Sequence, residues 1–289
     1  LTLTHYEDNS RQNVLIIDGY NMIHRCRFQW GGGVATGEYQ IVFNFFRTLR
    51  SLLDEFSPDV VYFPLDGKPA KRIESFAAYK ANRKIVTDDP EELAYWDSFH
   101  RQKRIIIDAL QRDYPIRTAY HPQHECDDLV PHLISKYHPA DNIIVASSDT
   151  DFIQLLNTYP DNVRLYNPIA KSYRQNTDYD YISWKAMVGD KSDNIPGVRG
   201  IGKKTAIKIL TKEGELEKRL EDEAFKHSYE MSYDLIKFLD LTEDQNDIIY
   251  TQADLDVENI TQEFERMDFK SMLGEKYLKK YFNTFNTLR

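Results

Sequence analysis

Asn142-Ile143-Ile144-Val145-Ala146-Ser147-Ser148-Asp149-Thr150-Asp151 is a short apolar run that ends in two acids. Such a run, bounded by polar residues, is the pattern of a strand buried on both faces. Asn142 to Ser147 therefore reads as a central strand whose carboxyl end delivers Asp149 and Asp151. Val14 to Asp18 repeats the pattern and closes on Asp18-Gly19, and Val60 to Phe63 repeats it ahead of Asp66-Gly67. Ile116 to Tyr120 and an outer Val163 to Tyr166 complete the set.

Helical spacing separates these runs. Ile41 to Phe56 is one helix, ending at Ser57-Pro58, and Glu125 to Tyr137 is another despite Pro131. Glu91 to Tyr114 is a long one, with Leu93, Trp96, Phe99, Ile106 and Leu110 along its stripe. Strands alternating with helices up to about residue 180 predict an α/β fold, a mostly parallel sheet with helices on both faces. Residues 181–289 read as mainly helical. Residues 1–13 read as a loose arm, Gly31 to Gly33 as a loop, and Ile73 to Asp89 as charged, turn-rich chain that makes a poor core.

The 289 residues are 41% hydrophobic and 29% charged, an ordinary globular balance. No apolar run approaches the ~20 residues of a membrane span. No signal segment opens the chain, Leu1 in place of Met reads as a trimmed start, and a cytoplasmic protein is expected. Cys26 and Cys126 are too few for a disulfide framework and read as buried thiols. The net charge of −9 by itself speaks against a polyanionic partner, but its distribution does not. Lys68, Lys71, Arg72, Lys80, Arg83 and Lys84 face the lone acid Glu74 in their segment, and Arg199, Lys203, Lys204 and Lys208 face none. Local patches of this kind are where a polyanion docks.

Ligands of an open parallel sheet bind beyond the carboxyl ends of its strands. The acids there are Asp18, Asp66, then Glu125, Asp127 and Asp128, then Asp149 and Asp151. Asp190 and Asp193 join them, three residues apart, as on one face of a helical turn. Any single Asp serves equally well as a cap or turn residue. Gathered together they repel one another unless cations hold them ionised. Carboxylates without His or Cys ligands suit Mg²⁺ or Mn²⁺, and two such ions can promote phosphodiester hydrolysis. Beyond Asp193, Gly197, Gly200 and Gly202 form a tight turn into a basic helix start, Lys203-Lys204-Thr205. Glycines allow close approach to phosphate, and the free N–H groups of a helix start favour an anion.

In order along the chain, these motifs resemble the 5′-nuclease or flap endonuclease superfamily. The matching stretches are Ile-Ile-Asp18-Gly19, Asp66-Gly67-Lys68, Tyr79-Lys80-Ala81-Asn82-Arg83-Lys84, Glu125-Cys126-Asp127-Asp128, Ser148-Asp149-Thr150-Asp151-Phe152, and Gly189-Asp190 through Gly202. The phrase around Tyr79 looks most like the bacteriophage 5′-exonuclease and ribonuclease H members. Cys126 departs from the Ala common in relatives, and the match weakens after about residue 210.

The resemblance implies a PIN-like core over residues 1–180 with a helical arch at about 80–113, and a helix-hairpin-helix with further helices over 181–289. It implies one metal cluster around Asp18, Asp66, Glu125 and Asp127, and another around Asp128, Asp149, Asp151, Asp190 and Asp193. Lys80 and Arg83 would be catalytic cations at the scissile phosphate, and Tyr79 a ring on which a terminal base stacks. Lys84, Arg101, Lys103 and Arg104 would touch the single strand, and Gly197 to Thr205 the duplex, with a K⁺ in several relatives. The implied partner is branched or nicked DNA with a 5′ single strand, or an RNA/DNA hybrid, met by a monomer alongside replication proteins. The implied activity is removal of 5′ flaps or RNA primers. An exonuclease with little flap cutting, and a catalytically silent DNA-binding module, are the alternatives; an acid-rich ribonuclease is disfavoured by the glycine turn.

Overall fold

Residues 11–28, 33–83 and 86–289 are described by a computed structural model. The chain runs β1 (Asn13–Ile17), α1 (Gly19–Arg25), α2 (Gln40–Phe56), β2 (Val60–Leu65), α3 (Ala70–Ser75), α4 (Pro90–Asp113) and β3 (Arg117–Tyr120). It continues with α5 (Cys126–Tyr137), β4 (Asn142–Ala146), α6 (Ile153–Thr158), β5 (Val163–Asn167), β6 (Ser172–Tyr173) and α7 (Tyr181–Val188). The last third adds α8 (Lys203–Thr211), α9 (Glu215–Arg219), α10 (Glu223–Ile236), β7 (Ile249–Thr251), α11 (Val257–Arg266) and α12 (Glu275–Phe285).

The sheet order is β6-β5-β4-β1-β2-β3-β7, parallel from β5 through β3 and antiparallel at both edges. Alternate residues feed two cores. Leu15, Ile17, Val61 and Phe63 pack beneath α2 and α4, while Val14, Ile16, Val60 and Tyr62 pack beneath α5 and α6. Register aligns Ile17 with Ala146 and Leu65 with Tyr120. Asp18, Asp66 and the Ser147–Asp149 turn therefore leave the sheet along one edge.

Helix ends follow local chemistry. Asp89 caps α4 through Glu91 N–H at 3.0 Å, with Pro90 opening the helix. The start of α2 has no cap of its own; the buried Gln102 of α4 serves instead, accepting Ile41 N–H at 2.9 Å. Leu93 departs from its expected place on the buried stripe and is 46% exposed. Residues 90–94 of α4 are exposed, Trp96 packs against the core and Phe99 enters it.

The last third does not form a separate unit throughout. Residues α7 to α10 build their own core from Ala186, Met187, Ala206, Ile209, Phe225 and Tyr229. The chain then returns to the first layer. β7, not foreseen in a region read as helical, pairs with β3, and Phe264, Tyr281 and Phe285 enter the core beneath α2 and α4. Tyr114 and Tyr281 share a hydroxyl hydrogen bond of 2.8 Å there. Phe264→Ala should cost about 3–5 kcal/mol of stability, measured by denaturant unfolding. A change within the ~0.5 kcal/mol of a surface substitution would show that the returning tail only rests on the core.

Candidate metal centre and phosphate-binding turn

Asp18 follows β1 and caps α1, accepting Asn21 N–H at 3.2 Å and the Ser147 hydroxyl at 2.5 Å. Asp66 follows β2 and accepts Cys126 N–H at 2.8 Å. Gly67 makes that approach possible, because a Cβ there would meet His121 O at 1.9 Å. Asp149 accepts Asp151 N–H at 2.9 Å. Asp18, Cys126 and Asp127 place donor atoms within 4.8 Å of one another, and so do Asp151, Asp190 and Asp193. Asp190 and Asp193 do so from a closed loop rather than a helical turn: Asp190 and Ile195 exchange backbone hydrogen bonds of 2.9 and 2.7 Å.

Internal cations divide these acids unequally. Lys185, 6% exposed, binds Asp151 and sits 2.7 Å from Asp190. Arg83 binds Asp193, and Lys80 binds Glu125 while standing 3.5 Å from Asp193. Burial works against the charge on Lys80 and Lys185, but the surrounding carboxylates hold both protonated. Burial also opposes ionisation of Asp190, yet hydrogen bonds from Lys185 and Ser192 hold it at about 2. Burial pushes Asp151 up to about 6 even with Lys185 beside it. Among the described residues no cation pairs with Asp18; burial, with Asp149 and Asp66 nearby, pushes it up to about 7. Burial and the charges of Asp18 and Asp149 likewise push Asp127 well above the usual carboxylate range.

Two expected ligands are engaged elsewhere. Asp128 is fully buried, with Oδ1 accepting from Arg72 at 2.7 Å and Leu239 N–H at 2.9 Å, and Oδ2 accepting from Arg72 at 2.7 Å. It stands apart from the second cluster, to which it was expected to belong, because neighbouring helix positions point about 100° apart. Glu125, the cap position of α5, accepts from Tyr79 at 2.9 Å, Arg72 at 3.1 Å and Lys80. Tyr79 is 6% exposed with its ring in the core of the α7–α10 unit. In place of a face open to a base, it offers a hydroxyl that positions Glu125.

The Lys68–Lys84 cations are largely used internally. Lys71 pairs with Asp244 at 2.7 Å, Arg72 with Asp128, Lys80 with Glu125 and Arg83 with Asp193. Lys84 lies outside the described residues. Lys80 has a positive φ of 52°, and its N–H donates to Asp193 O at 2.9 Å, stitching this segment to the Asp190 loop. Along α4, Arg101 pairs with Glu38 at 3.1 Å, Lys103 lies 4.7 Å from the Tyr20 ring, and Arg104 is exposed.

Past the loop, Gly197 (φ 67°) has no room for a side chain: a Cβ would lie 2.5 Å from Gly189 N. Gly200 and Gly202 have open space instead. Gly202 starts α8 without a side-chain cap, and Lys203, Lys204 and Thr205 are exposed around the free N–H groups. Among the described residues, no ion pair engages Arg199, Lys203, Lys204 or Lys208. This is the basic surface left for an anion.

Lys185, Ser147 and Gln154 belong to the site without having been singled out from sequence, and Arg72, read there as part of a basic docking patch, is instead buried against Asp128 and Glu125. Their partners lie far along the chain or act through ordinary buried contacts, so no spacing marks them. Cys126, which was not expected among the donors, is a thiol that burial pushes well up and so keeps protonated, and the remaining donors fit hard divalent cations: carboxylates raised by burial and mutual repulsion gain most from added positive charge.

A model of the 5′-3′ exonuclease N-terminal, resolvase-like domain matches residues 13–188, and one of the 5′-3′ exonuclease C-terminal SAM fold matches residues 176–272. The chain is 28% identical to a 5′-3′ exonuclease of Aquifex aeolicus over 296 residues, covering 91% of this chain and 95% of that protein. It is 30% identical over 291 residues to the thermostable DNA polymerase I of Thermus thermophilus, covering 91% of this chain but 33% of that protein. With the polymerase I of Synechocystis it shares 28% identity, covering 72% of this chain and 23% of that protein. It thus spans a quarter to a third of the polymerase relatives. A bacteriophage T5 flap endonuclease in a pseudo-enzyme-product complex with DNA and metal ions superposes with a TM-score of 0.66 at 21% identity, covering 95% of this chain and 100% of that one. A T5 5′-exonuclease with bound zinc gives 0.64 at 20%, covering 96% and 98%. At these identities the structural likeness is one of fold.

The raised carboxyls set a pH dependence. Asp18 and Asp151, at about 7 and about 6 against an ordinary 3.8, hold protons in the folded chain that the unfolded chain has lost. Their contribution to metal-free stability should be full near pH 4 and fall as pH rises to about 7. Asp190, held at about 2, acts oppositely and only below about pH 4. Melting curves in chelator should show the decline, Mg²⁺ or Mn²⁺ should raise the melting temperature at neutral pH, and Asp18→Asn should shrink both effects. A metal-free melting temperature that climbs through that window would overturn this assignment.

Proposed function

The chain belongs to the 5′-3′ exonuclease family, and from that premise we propose that it is a divalent-metal-dependent 5′-nuclease acting on flaps and 5′ ends of branched DNA, RNA primers included. The observation that carries the proposal is the union of two carboxylate clusters with an unpaired basic helix start, joined through the Lys80–Arg83 segment. Asp18, Asp66, Asp127 and Asp149 would hold one ion, and Asp151, Asp190 and Asp193 the other. Mg²⁺ or Mn²⁺ held there would supply an activated water and stabilise the leaving oxygen.

The chain's own residues do the rest. Lys80 and Arg83 keep N–H donors at the cluster edge, where charge builds on the phosphate as the bond breaks. Ser147 fixes the Asp18 carboxylate, and Tyr79 and Arg72 fix Glu125. Backbone N–H groups from Gly200 to Thr205 would grip duplex phosphates, Lys203 and Lys204 would add charge, and a K⁺ on the carbonyls of that turn belongs to the same proposal. Lys103, beside Asp66, and the exposed Arg104 place cations along α4 for the 5′ single strand, with Arg101 held back by Glu38. A monomer working intracellularly among replication proteins completes the proposal.

A 5′-end-labelled flap duplex tests it. Release of a flap-length fragment in Mg²⁺, lost in Asp149→Asn, is the expected result; mononucleotides alone would point to an exonuclease, and binding without cleavage to a silent module. Lys80→Ala should slow cleavage by about 10²–10³-fold while DNA affinity changes little. Replacing Lys203 and Lys204 together by Ala should instead weaken binding and reduce the slope of log affinity against log salt by about 2. Unchanged salt dependence would remove α8 from the interface.

A further inference from the structure

One short strap, residues 235–239 at the exit of α10, is bonded by two buried side chains, one of which also holds Glu125 and Asp128, the near neighbours of Asp127 in the chain, and the other the backbone of Asp151. Arg72, 4% exposed, uses all of its N–H donors there. Nε donates to Leu235 O at 3.0 Å, and Nη2 to Lys237 O at 3.0 Å and Asp128 Oδ1 at 2.7 Å. Nη1 donates to Asp128 Oδ2 at 2.7 Å and to Glu125 Oε2 at 3.1 Å. Leu239 N–H closes the arrangement on Asp128 at 2.9 Å. Gln154, also 4% exposed, is bonded in a like way. Its Oε1 accepts Phe238 N–H at 3.1 Å, and its Nε2 donates to Ile236 O at 3.4 Å and to the backbone oxygen of Asp151 at 2.9 Å.

The strap is also the end of a helix packed into the α7–α10 core, through Phe225, Tyr229, Leu235 and Ile236. That same core holds Val198, Ala206 and Ile209, from the glycine turn and α8. Displacing this unit therefore displaces the strap. A planar guanidinium with no spare donor cannot follow such a shift without giving up a partner.

We infer that Arg72 and Gln154 are positioning residues that make the geometry of both carboxylate clusters depend on where the α7–α10 unit sits. The inference rests on the nuclease reading above for its consequence: duplex seated on α8 and cleavage at the acids are linked through the strap. Asp128 in this arrangement is the counter-charge of Arg72 and not a ligand.

Three variants separate positioning from mere stability. Arg72→Lys keeps a charge opposite Asp128 but lacks the fork that reaches Leu235 and Lys237. Gln154→Met removes the second set of bonds without touching charge. Arg72→Met combined with Asp128→Asn removes the ion pair together, leaving no isolated buried charge. Each is assayed for melting temperature, Mn²⁺ affinity by electron paramagnetic resonance, flap-DNA affinity without divalent metal, and cleavage rate at saturating DNA in Mg²⁺. Folded variants should bind DNA as the native chain does, yet bind Mn²⁺ more weakly and cleave about 10–100-fold more slowly with KM unchanged. Native Mn²⁺ affinity and cleavage rate in Arg72→Lys, or in the folded double variant, would overturn the inference. A native chain that binds Mn²⁺ but cuts no DNA would overturn the nuclease reading, while the Mn²⁺ comparison would still decide the role of the strap.

Discussion

Mutual repulsion among carboxylates brought to one sheet edge is the constraint that the rest of this structure answers. Parallel strands in matched register deliver Asp18, Asp66 and Asp149 to the same side, the first turn of α5 adds Asp127, and loops add Asp151, Asp190 and Asp193. Such a gathering needs positive charge. The chain supplies part of it through Lys80, Arg83 and Lys185, all held against Glu125 or the second cluster. Around Asp18 and Asp127 it supplies much less, and their carboxyls rise accordingly. The two halves of the site are thus unlike: one is neutralised from within, the other is where an added cation gains most.

The same constraint explains why the Lys68–Lys84 segment is less of a docking surface than its composition implies. Its cations are committed to Asp128, Glu125, Asp193 and Asp244. The charge left for a polyanion is concentrated on Arg199 to Lys208, where the chain offers both lysines and uncapped helix N–H groups. A protein of net charge −9 can then still present a local basic surface at this turn, because local charge and not the sum decides where a polyanion docks.

Backbone geometry keeps the two regions in step. The positive φ of Lys80 and Asn194 sits where the Tyr79–Arg83 segment meets the Asp190 loop. Asn194 donates to Ala78 O at 2.8 Å, Asn82 to Lys191 O at 2.9 Å, and Lys80 N–H to Asp193 O at 2.9 Å. These contacts span over a hundred residues of sequence and make the candidate catalytic cations and the second cluster one assembly.

Much of this is local and therefore legible in the chain itself. Apolar runs of strand length, helical stripes and the glycines from Gly197 to Gly202 are set by nearest neighbours along the sequence, so the alternating α/β core and the acids at its strand ends follow from it. What each acid does is not local. Asp127 and Asp128 are adjacent and chemically identical, yet helix phase aims one at Asp18 and the other at Arg72, whose further partner Leu235 lies 163 residues away. Tyr79, expected as a ring on which a base stacks, is buried, and β7 lies in a region that reads as helical until β3 offers it a partner. Residue types and their order decided that carboxylates would meet at this edge; only tertiary packing decided which of them face a cation already present, because burial and long-range pairing, not spacing, set the charge around each one.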